Sequence, residues 1–223
     1  MYKLSPSKLN LMQECPRCFW LTLHKIWKRP TGIFPSLPSG MDRILKTHFD
    51  RFMNKQELPP ELCENHSCKN LRLFDNKALL DIYRNNKKGL SCIDKKGNIL
   101  MGAVDNLMIN NKNNKLIVLD YKTRGYPLKA DTHKHYQLQL DVYNFLLREN
   151  GYKTEDFAFL LFYVPKHVTS TGEVIFDTLL KKMPVSASNG KKLWQKALKL
   201  LDAKCPEQGC EWCQAVRDKG EEV

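Results

Sequence analysis

The spacing of hydrophobic and polar residues predicts both helices and strands. Apolar side chains recur every three or four positions over residues 41–55, which is typical of an amphipathic helix. Two apolar runs, residues 99–109 and 115–122, flank the turn Asn-Asn-Lys-Asn-Asn. Apolar runs on both sides of a short polar turn predict a β-hairpin.

The rest of the chain continues this alternation of helices and strands. Ser5 and Asp131 are candidate caps for two of the helices. The further predicted helices cover residues 8–14, 132–150 and 193–203, and the further predicted strands cover residues 157–164 and 173–180. Residues 28–40 are rich in Pro and Gly and predict a loop, whereas residues 56–98 show no clear pattern. This order predicts an α/β fold with a mixed core.

The composition and net charge indicate what kind of partner the protein binds. The 223 residues include 36 Lys and Arg against 24 Asp and Glu, a formal net charge of +12. Such a basic excess favours a polyanionic partner, and nucleic acid is the commonest. No apolar run approaches the ~18–20 residues of a membrane helix, and the first residues lack the apolar stretch of a secretory signal. We therefore expect a cytoplasmic protein that does not bind a membrane.

The predicted hairpin aligns two carboxylates and an amine. The residue numbers of Asp105 and Asp120 average 112.5, in the middle of the Asn-rich turn, so a symmetric hairpin places them opposite each other. Lys122 shares a face with Asp120, because side chains alternate along a strand. A divalent cation such as Mg²⁺ would offset the repulsion between the carboxylates, and Lys122 would orient or deprotonate the attacking water. The alternative is a strand-end ion pair of Asp120 and Lys122 with Asp105 exposed, since a one-residue slip misplaces Asp105.

Polar residues near the hairpin extend this candidate site. Gln139 and Tyr143 are four positions apart, so they share one face of the predicted helix that follows the hairpin. The pair can reach the site, and the alternative is a hydrogen-bonded core glutamine. Arg124 comes directly after the second strand, where it can hold a phosphate; the alternative is a solvated basic face.

Three motifs in this order resemble the PD-(D/E)XK nuclease superfamily. They are Gly-Ala-Val-Asp ending at Asp105, Asp-Tyr-Lys ending at Lys122, and Gln-Leu-Asp-Val-Tyr ending at Tyr143. The resemblance is closest to the RecB-like exonuclease branch, which includes the CRISPR-associated RecB-like nucleases. It implies a restriction-endonuclease-like core, with a mixed central sheet flanked by helices. It also implies a single nuclease domain over residues 1–223, with a core at about 40–185 and joined termini at 1–30 and 190–216.

The resemblance also assigns roles to individual residues. It implies a DNA nuclease that depends on Mg²⁺ or Mn²⁺ and acts on single strands or ends. Lys122, Asp105 and Asp120 would be catalytic, and Gln139 and Tyr143 would support the site and contact DNA. The metal ligands implied by the resemblance are Asp105, Asp120, the carbonyl of Tyr121, and His48 on the upstream helix. Protein partners would come from a DNA-repair or CRISPR complex.

The cysteines permit two metal sites. In a reducing compartment, well-spaced cysteines indicate metal or cluster ligation more than disulfides. The resemblance implies a [4Fe–4S] cluster that joins the two ends of the chain, held by Cys15, Cys205, Cys210 and Cys213. Cys18 is an alternative fourth ligand, because two Cys-x2-Cys pairs, 15/18 and 210/213, would suit tetrahedral Zn²⁺. A competing function is a non-catalytic nucleic-acid-binding or scaffolding module with such a zinc site.

Overall fold

A computed structural model describes residues 1–30, 32 and 35–217 of the chain. Thr31, Ile33 and Phe34, which belong to the predicted loop, lie outside the described residues. Residues 218–223, at the end of the predicted domain, lie outside them as well. The helices are α1 (Pro6–Glu14), α2 (Pro16–Leu23), α3 (Ser36–Lys55), α4 (Pro60–Cys63), α5 (Lys77–Tyr83), α6 (Gln137–Glu149), α7 (Ala187–Leu201) and α8 (Glu211–Arg217). The strands are β1 (Lys3–Leu4), β2 (Leu71–Leu73), β3 (Leu90–Ile93), β4 (Ile99–Gly102), β5 (Asn106–Asn110), β6 (Leu116–Thr123), β7 (Phe157–Val168) and β8 (Val174–Pro184).

The strands form two mixed sheets. The larger sheet has the order β2-β5-β6-β7-β8, with β6 and β7 parallel and the other neighbours antiparallel. The smaller sheet has the order β1-β4-β3, with β1 parallel to β4. Helices flank both sheets, so the predicted mixed α/β architecture is confirmed. The proposed core limits of about 40–185 stay a prediction.

The two sides of the central strand β6 face different helices. On one side Phe49 of α3 packs against Tyr121, with 4.5 Å between ring centroids. On the other side Gln139 of α6 lies against Asp120. Because neighbouring residues of a strand point to opposite faces, the candidate catalytic residues of β6 lie on the α6 side. The helix α6 therefore determines what surrounds them.

The predicted strand over residues 99–109 is divided in two. Its first part is β4 of the smaller sheet, and its second part is β5 of the larger sheet. Between them the backbone forms hydrogen bonds with the C-terminal end of α5. The Tyr83 carbonyl accepts from the Val104 N–H, and Arg84 donates to the Asp105 carbonyl. Asp105 thus lies in a bend just before β5, and not inside the strand as predicted.

A glycine at the end of β4 permits this division. A Cβ on Gly102 would lie 2.6 Å from Cε1 of Tyr143, closer than side chains tolerate. The missing side chain lets α6 approach the bend between the two sheets. Tyr143 is consequently buried directly beside the segment that carries Asp105.

Several predicted helix limits differ from the structure. The loop predicted over residues 28–40 ends at 35, because α3 already begins at Ser36. Pro38 does not prevent this, since proline is tolerated in the first turn, where backbone N–H groups have no helical partner. The helix predicted over 132–150 consists of a 3₁₀ turn, Thr132–Tyr136, followed by α6. Neither Ser5 nor Asp131 forms a side-chain capping hydrogen bond.

The hydrophobic core lies between the larger sheet and its helices. Its fully buried side chains include Phe49 of α3, and Phe159 and Phe162 of β7. In the part of the chain that the structure describes, no helix combines the length and apolar character needed to cross a membrane.

Candidate active site and cysteine cluster

Asp120 and Lys122 form the centre of the candidate active site on β6. Asp120 is almost completely buried, and its Oδ2 lies 2.5 Å from Lys122 Nζ. Among the described residues, Oδ2 has no other partner than this ammonium. Lys122 Nζ also lies 4.8 Å from the ring centroid of Tyr136, which adds a cation–π contact. Asp120 therefore presents a buried oxygen with unused acceptor capacity.

Asp105 meets this centre from the bend before β5. The ladder pairs Asn106 with Leu119, so the register predicted for the hairpin is confirmed, and its continuation sets Asp105 opposite Asp120. Asp105 Oδ2 accepts a hydrogen bond of 3.0 Å from the Tyr121 backbone N–H. The second carboxylate is thus anchored to the strand that carries the first.

The charges of the three residues are strongly interdependent. Burial raises the pKa of Asp120 to about 7; the Lys122 ammonium opposes the rise, and the nearby Asp105 carboxylate adds to it. Burial also disfavours the Lys122 ammonium, but the two carboxylates prevail and raise the pKa of Lys122. A carboxyl group whose pKa is raised toward 7 by burial and a neighbouring like charge is a common feature of catalytic sites.

Gln139 connects Asp120 to α6. Its Nε2 donates to Asp120 Oδ1 at 3.3 Å and to the Tyr143 hydroxyl at 2.7 Å. The two α6 residues share a helix face because they are four positions apart. The structure therefore brings together five of the predicted site residues: Asp105, Asp120, Lys122, Gln139 and Tyr143.

His48 and Arg124 occupy different surroundings. The Nε2 atom of His48 lies 3.0 Å from Oε1 of Glu61, which also accepts from the Tyr163 hydroxyl at 2.9 Å. Among the described residues, His48 does not form a close group of ligand atoms with Asp105 and Asp120. Arg124 follows β6, where its backbone N–H donates to the Tyr163 carbonyl.

Two basic residues beside Asp105 were missed by sequence reasoning. Lys46 of α3 bridges Asp42 and Asp105, with Nζ–O distances of 2.8 and 3.3 Å. Arg84 donates from Nε to the Asp105 carbonyl at 2.7 Å, and from Nη1 to Asp50 at the same distance. Lys46 belongs to a helix that was predicted, but Arg84 lies in the segment 56–98, which showed no clear pattern.

The second cluster consists of four cysteine sulfurs. Cys15 and Cys18 lie at the start of α2, and Cys210 and Cys213 lie at the start of α8. All four Sγ atoms lie within 4.8 Å of one another. The shortest separations are 3.4 Å between Cys18 and Cys210, and 3.8 Å between Cys15 and Cys213. The two ends of the described chain thus meet in a group that can bind a metal.

Cys205 lies outside this group, so Cys18 takes the place that the iron–sulfur pattern assigned to Cys205. The reason is the local helical geometry. Residues three apart in the first turn of a helix share a face, and both Cys-x2-Cys pairs use this spacing. Cys205 precedes the second pair by five positions and instead accepts a hydrogen bond of 3.5 Å from Arg17 Nη1.

The surroundings of the cluster favour a thiolate at Cys210. The Cys18 backbone N–H donates to Cys15 Sγ, and Arg29 Nη2 donates to Cys210 Sγ. Burial opposes ionisation of Cys210, yet hydrogen bonds, foremost from the Cys213 backbone N–H and the Cys18 thiol, lower its pKa to about 6. Burial raises the pKa of Cys18 and of Cys213, so both groups are thiols in the absence of a metal. A bound metal would displace their protons. Since metals bind the thiolate form, one ligand is already favoured and the others would ionise on binding.

One of three comparisons with known proteins, the family model, agrees with the motifs. A search of curated proteins gave no match. Among solved structures, the crystal structure of SSO0001 matches 92% of this chain and 78% of that chain, at 15% identity and a TM-score of 0.41. The family model described as the PD-(D/E)XK nuclease superfamily matches residues 38–217, a range that contains Asp105, Asp120 and Lys122. The chain belongs to the PD-(D/E)XK nuclease superfamily.

Proposed function

We propose that the protein is a divalent-metal-dependent deoxyribonuclease that hydrolyses phosphodiester bonds in single strands or at strand ends. The observation that carries the proposal is the buried Oδ2 of Asp120, which lies opposite Asp105 and whose one partner among the described residues is the Lys122 ammonium. A purely structural carboxylate at this depth would normally be fully hydrogen-bonded. The oxygen fits a hard cation, which binds oxygen ligands.

Asp105, Asp120 and the Tyr121 carbonyl would hold Mg²⁺ or Mn²⁺. We retain His48 as a further candidate ligand, although it is paired with Glu61 in this structure. When bound, the cation would supply Lewis-acid polarisation of a phosphate oxygen and a more acidic water.

Lys122 is the residue that we propose for proton transfer and charge stabilisation. Its Nζ lies next to the Asp120 carboxylate, so it can orient a water beside the scissile phosphate. The same ammonium can stabilise negative charge that develops on the phosphate. Gln139 orients Asp120, and Arg124 lies one position after β6, where it can contact the substrate backbone.

A cleavage assay tests this function. Labelled single-stranded DNA is incubated with Mn²⁺ and with the wild type, Asp105→Asn, Asp120→Asn or Lys122→Gln. We expect each variant to lose about two or more orders of magnitude in kcat, the usual scale for a general acid–base or electrostatic group. Asp177→Asn, on the exposed face of β8, serves as the control. If the wild type is inert with every divalent metal, the protein is a non-catalytic binding module instead.

We also propose that the four cysteines bind one zinc ion. Four sulfurs about 2.3 Å from a central ion in a tetrahedron lie about 3.8 Å apart. The contacts of 3.4, 3.8 and 3.9 Å among the four sulfurs fit that edge. A [4Fe–4S] cube places iron and sulfide atoms between the cysteines and separates them more widely. Metal analysis with the visible spectrum of anaerobically purified protein tests this: zinc without colour is expected, and a brown iron-containing sample contradicts it.

The remaining parts of the proposal concern the cellular setting. We propose partners in a DNA-repair or CRISPR complex because the motifs resemble those of RecB-like nucleases, and a cytoplasmic location as expected from the sequence. The net charge of +12 supports a nucleic-acid substrate.

A further inference from the structure

A cavity of about 400 Å³ lies between the N-terminal segment and α6. Its volume is within the range of about 300–1,000 Å³ that small-ligand sites occupy. The pairing of Leu4 with Leu100 holds β1 and the start of α1 against β4, and this brings the N-terminal residues to the cavity. The lining residues are Lys3, Leu4, Ser5, Pro6, Ser7, Lys8, Asn10, Asn86, Met101, Gly102, Ala103, Gln139 and Tyr143.

The cavity adjoins the candidate active site at two elements. Gln139 forms part of its wall, and the same side chain donates to Asp120 Oδ1. Ala103 forms another part, two residues before Asp105 in the bend. A strand whose phosphodiester lies at Asp105 and Asp120 would therefore pass next to this cavity.

The charge of the lining is entirely positive. Lys3 and Lys8 contribute two ammonium groups, and the lining contains no Asp or Glu. Within the described part of the chain, neither lysine forms an ion pair with a carboxylate, although Lys8 Nζ donates to the Lys3 carbonyl at 2.6 Å. Burial, together with the charge of Lys3, lowers the pKa of Lys8. Two adjacent cations without a counter-charge favour the binding of an anion.

The neutral groups of the lining also suit an anion. The hydroxyls of Ser5 and Ser7 lie 2.9 Å apart, and the amides of Asn10 and Asn86 supply further donors. Hydroxyls, amides and ammonium groups together are the usual partners of backbone phosphates in nucleic-acid complexes. Two other large cavities differ, because acidic residues line them: Glu14 and Asp141 in one, and Glu61 and Glu64 in the other.

We propose that this cavity binds one backbone phosphate of the nucleic-acid strand, adjacent to the phosphodiester that is cleaved. The inference rests on the proposed nuclease function and adds a position on the substrate to it. Lys3 and Lys8 donate to the phosphate oxygens. Gln139 and Tyr143 form the wall between this phosphate and the reaction centre. The subsite fixes the register of the strand at the metal ligands.

Equilibrium binding tests the subsite without relying on catalysis. Fluorescence anisotropy of a short labelled single-stranded oligonucleotide is measured in EDTA at several salt concentrations for the wild type, Lys3→Gln and Lys8→Gln. Each variant should bind about 3- to 10-fold more weakly, and the slope of log affinity against log salt should become shallower by about 0.7, the value expected when one lysine no longer neutralises a phosphate. Lys112→Gln, in the exposed hairpin turn, is the matched control and should bind as the wild type.

Charge-preserving variants separate this role from folding. Lys3→Arg and Lys8→Arg should retain wild-type affinity and salt dependence, because a phosphate accepts from either side chain. If Lys3→Gln and Lys8→Gln both bind like Lys112→Gln, the subsite inference is overturned. The same holds if the arginine variants bind as weakly as the glutamine variants, since charge would not then explain the weaker binding.

A small substrate distinguishes the subsite from the active site itself. Bis(p-nitrophenyl) phosphate has a single phosphate and cannot occupy both positions, so the two glutamine variants should hydrolyse it with wild-type rates in Mn²⁺. If the glutamine variants hydrolysed this small substrate as poorly as they bind the oligonucleotide, the lysines would belong to the reaction centre, and the subsite inference would be overturned. A wild type that binds the oligonucleotide but cleaves neither substrate rejects the nuclease function alone.

Discussion

Arg84 holds the main chain of Asp105, with 2.7 Å between Nε and the carbonyl oxygen. The guanidinium is nearly buried, and Asp50 fixes its other side through Nη1. Asp105 lies in a bend between two sheets and not within a strand, so its position depends on this contact. Arg84 is therefore a positioning residue for the candidate active site.

We expect Arg84→Lys to lower kcat for DNA cleavage by about 10- to 100-fold with little change in KM. A shift of about 1 Å in a catalytic group can cost about two orders of magnitude, and lysine lacks the planar fork that contacts Asp105 and Asp50 together. Steady-state kinetics against Mn²⁺ concentration provide the measurement, and a higher metal requirement should accompany the lower kcat. Arg72→Lys, in an exposed ion pair, is the control. Equal effects in both variants would contradict the positioning role.

Asp120 should make the stability of the metal-free protein depend on pH. Burial raises its folded pKa to about 7, whereas the unfolded value is about 4. The folded protein therefore binds an extra proton between these values, so this group's contribution is full below pH 4 and is lost as pH rises toward 7. The free energy of unfolding should fall by about 1.4 kcal/mol per pH unit from this group alone.

Denaturant unfolding in EDTA between pH 5 and 8 provides the measurement for Asp120. Asp120→Asn should remove this contribution, so the wild type should lose more stability than the variant as pH rises. Asp177→Asn should follow the wild type, because Asp177 is exposed. Parallel curves for the wild type and Asp120→Asn would show that burial does not raise the pKa of Asp120.

The Gln139 amide should contribute more to kcat for DNA cleavage than the Tyr143 hydroxyl. Gln139→Leu removes the donor to Asp120, and we expect kcat to fall about 10-fold or more because the carboxylate is no longer oriented. Tyr143→Phe removes only the acceptor of the second amide hydrogen, so Gln139 can still reach Asp120. Single-turnover cleavage of DNA compares the two variants. A lower rate in Tyr143→Phe than in Gln139→Leu would contradict this order.

Cys18 and Cys205 provide a matched pair for the cysteine cluster. Cys18→Ser should reduce bound metal and lower the free energy of unfolding by several kcal/mol, because metal-binding energy stabilises the folded state. Cys205→Ser should retain the metal and change stability by about 1 kcal/mol or less, since its sulfur lies outside the group of four. Metal content and thermal unfolding are measured together. Loss of metal from Cys205→Ser, with retention in Cys18→Ser, would support the iron–sulfur ligand set.

The hairpin and the helix after it could be predicted because their signals are local. The symmetric turn determines the register of Asp105 and Asp120, and the four-residue spacing puts Gln139 and Tyr143 on one face. The break before Asp105 could not be predicted, because it depends on the contact of Gly102 with Tyr143 and on the hydrogen bond from Arg84. Both contacts join residues that are distant in sequence.

The choice between Cys18 and Cys205 as the fourth ligand also could not be predicted from the sequence, for a different reason. Spacing alone permits either residue to complete the set, and both lie near one of the other cysteines in sequence. The structure decides for Cys18, which lies three positions after Cys15 at the start of α2, whereas Cys205 accepts a hydrogen bond from Arg17. The partner of His48 was equally hidden, because Glu61 lies in the segment that showed no pattern.

The cysteine cluster also has a consequence for the order of synthesis. Cys15 and Cys213 meet although 198 positions separate them, so a ribosome makes the first pair long before the second. During translation Cys15 and Cys18 remain a half-site that holds metal weakly, and full ligation waits until α8 has emerged. The entropic cost of closing a loop grows only slowly with its length, so joining residues this far apart in sequence costs little more than closing a shorter loop. An ion held by all four sulfurs would therefore join α2 to α8 only in a chain that already contains both helices.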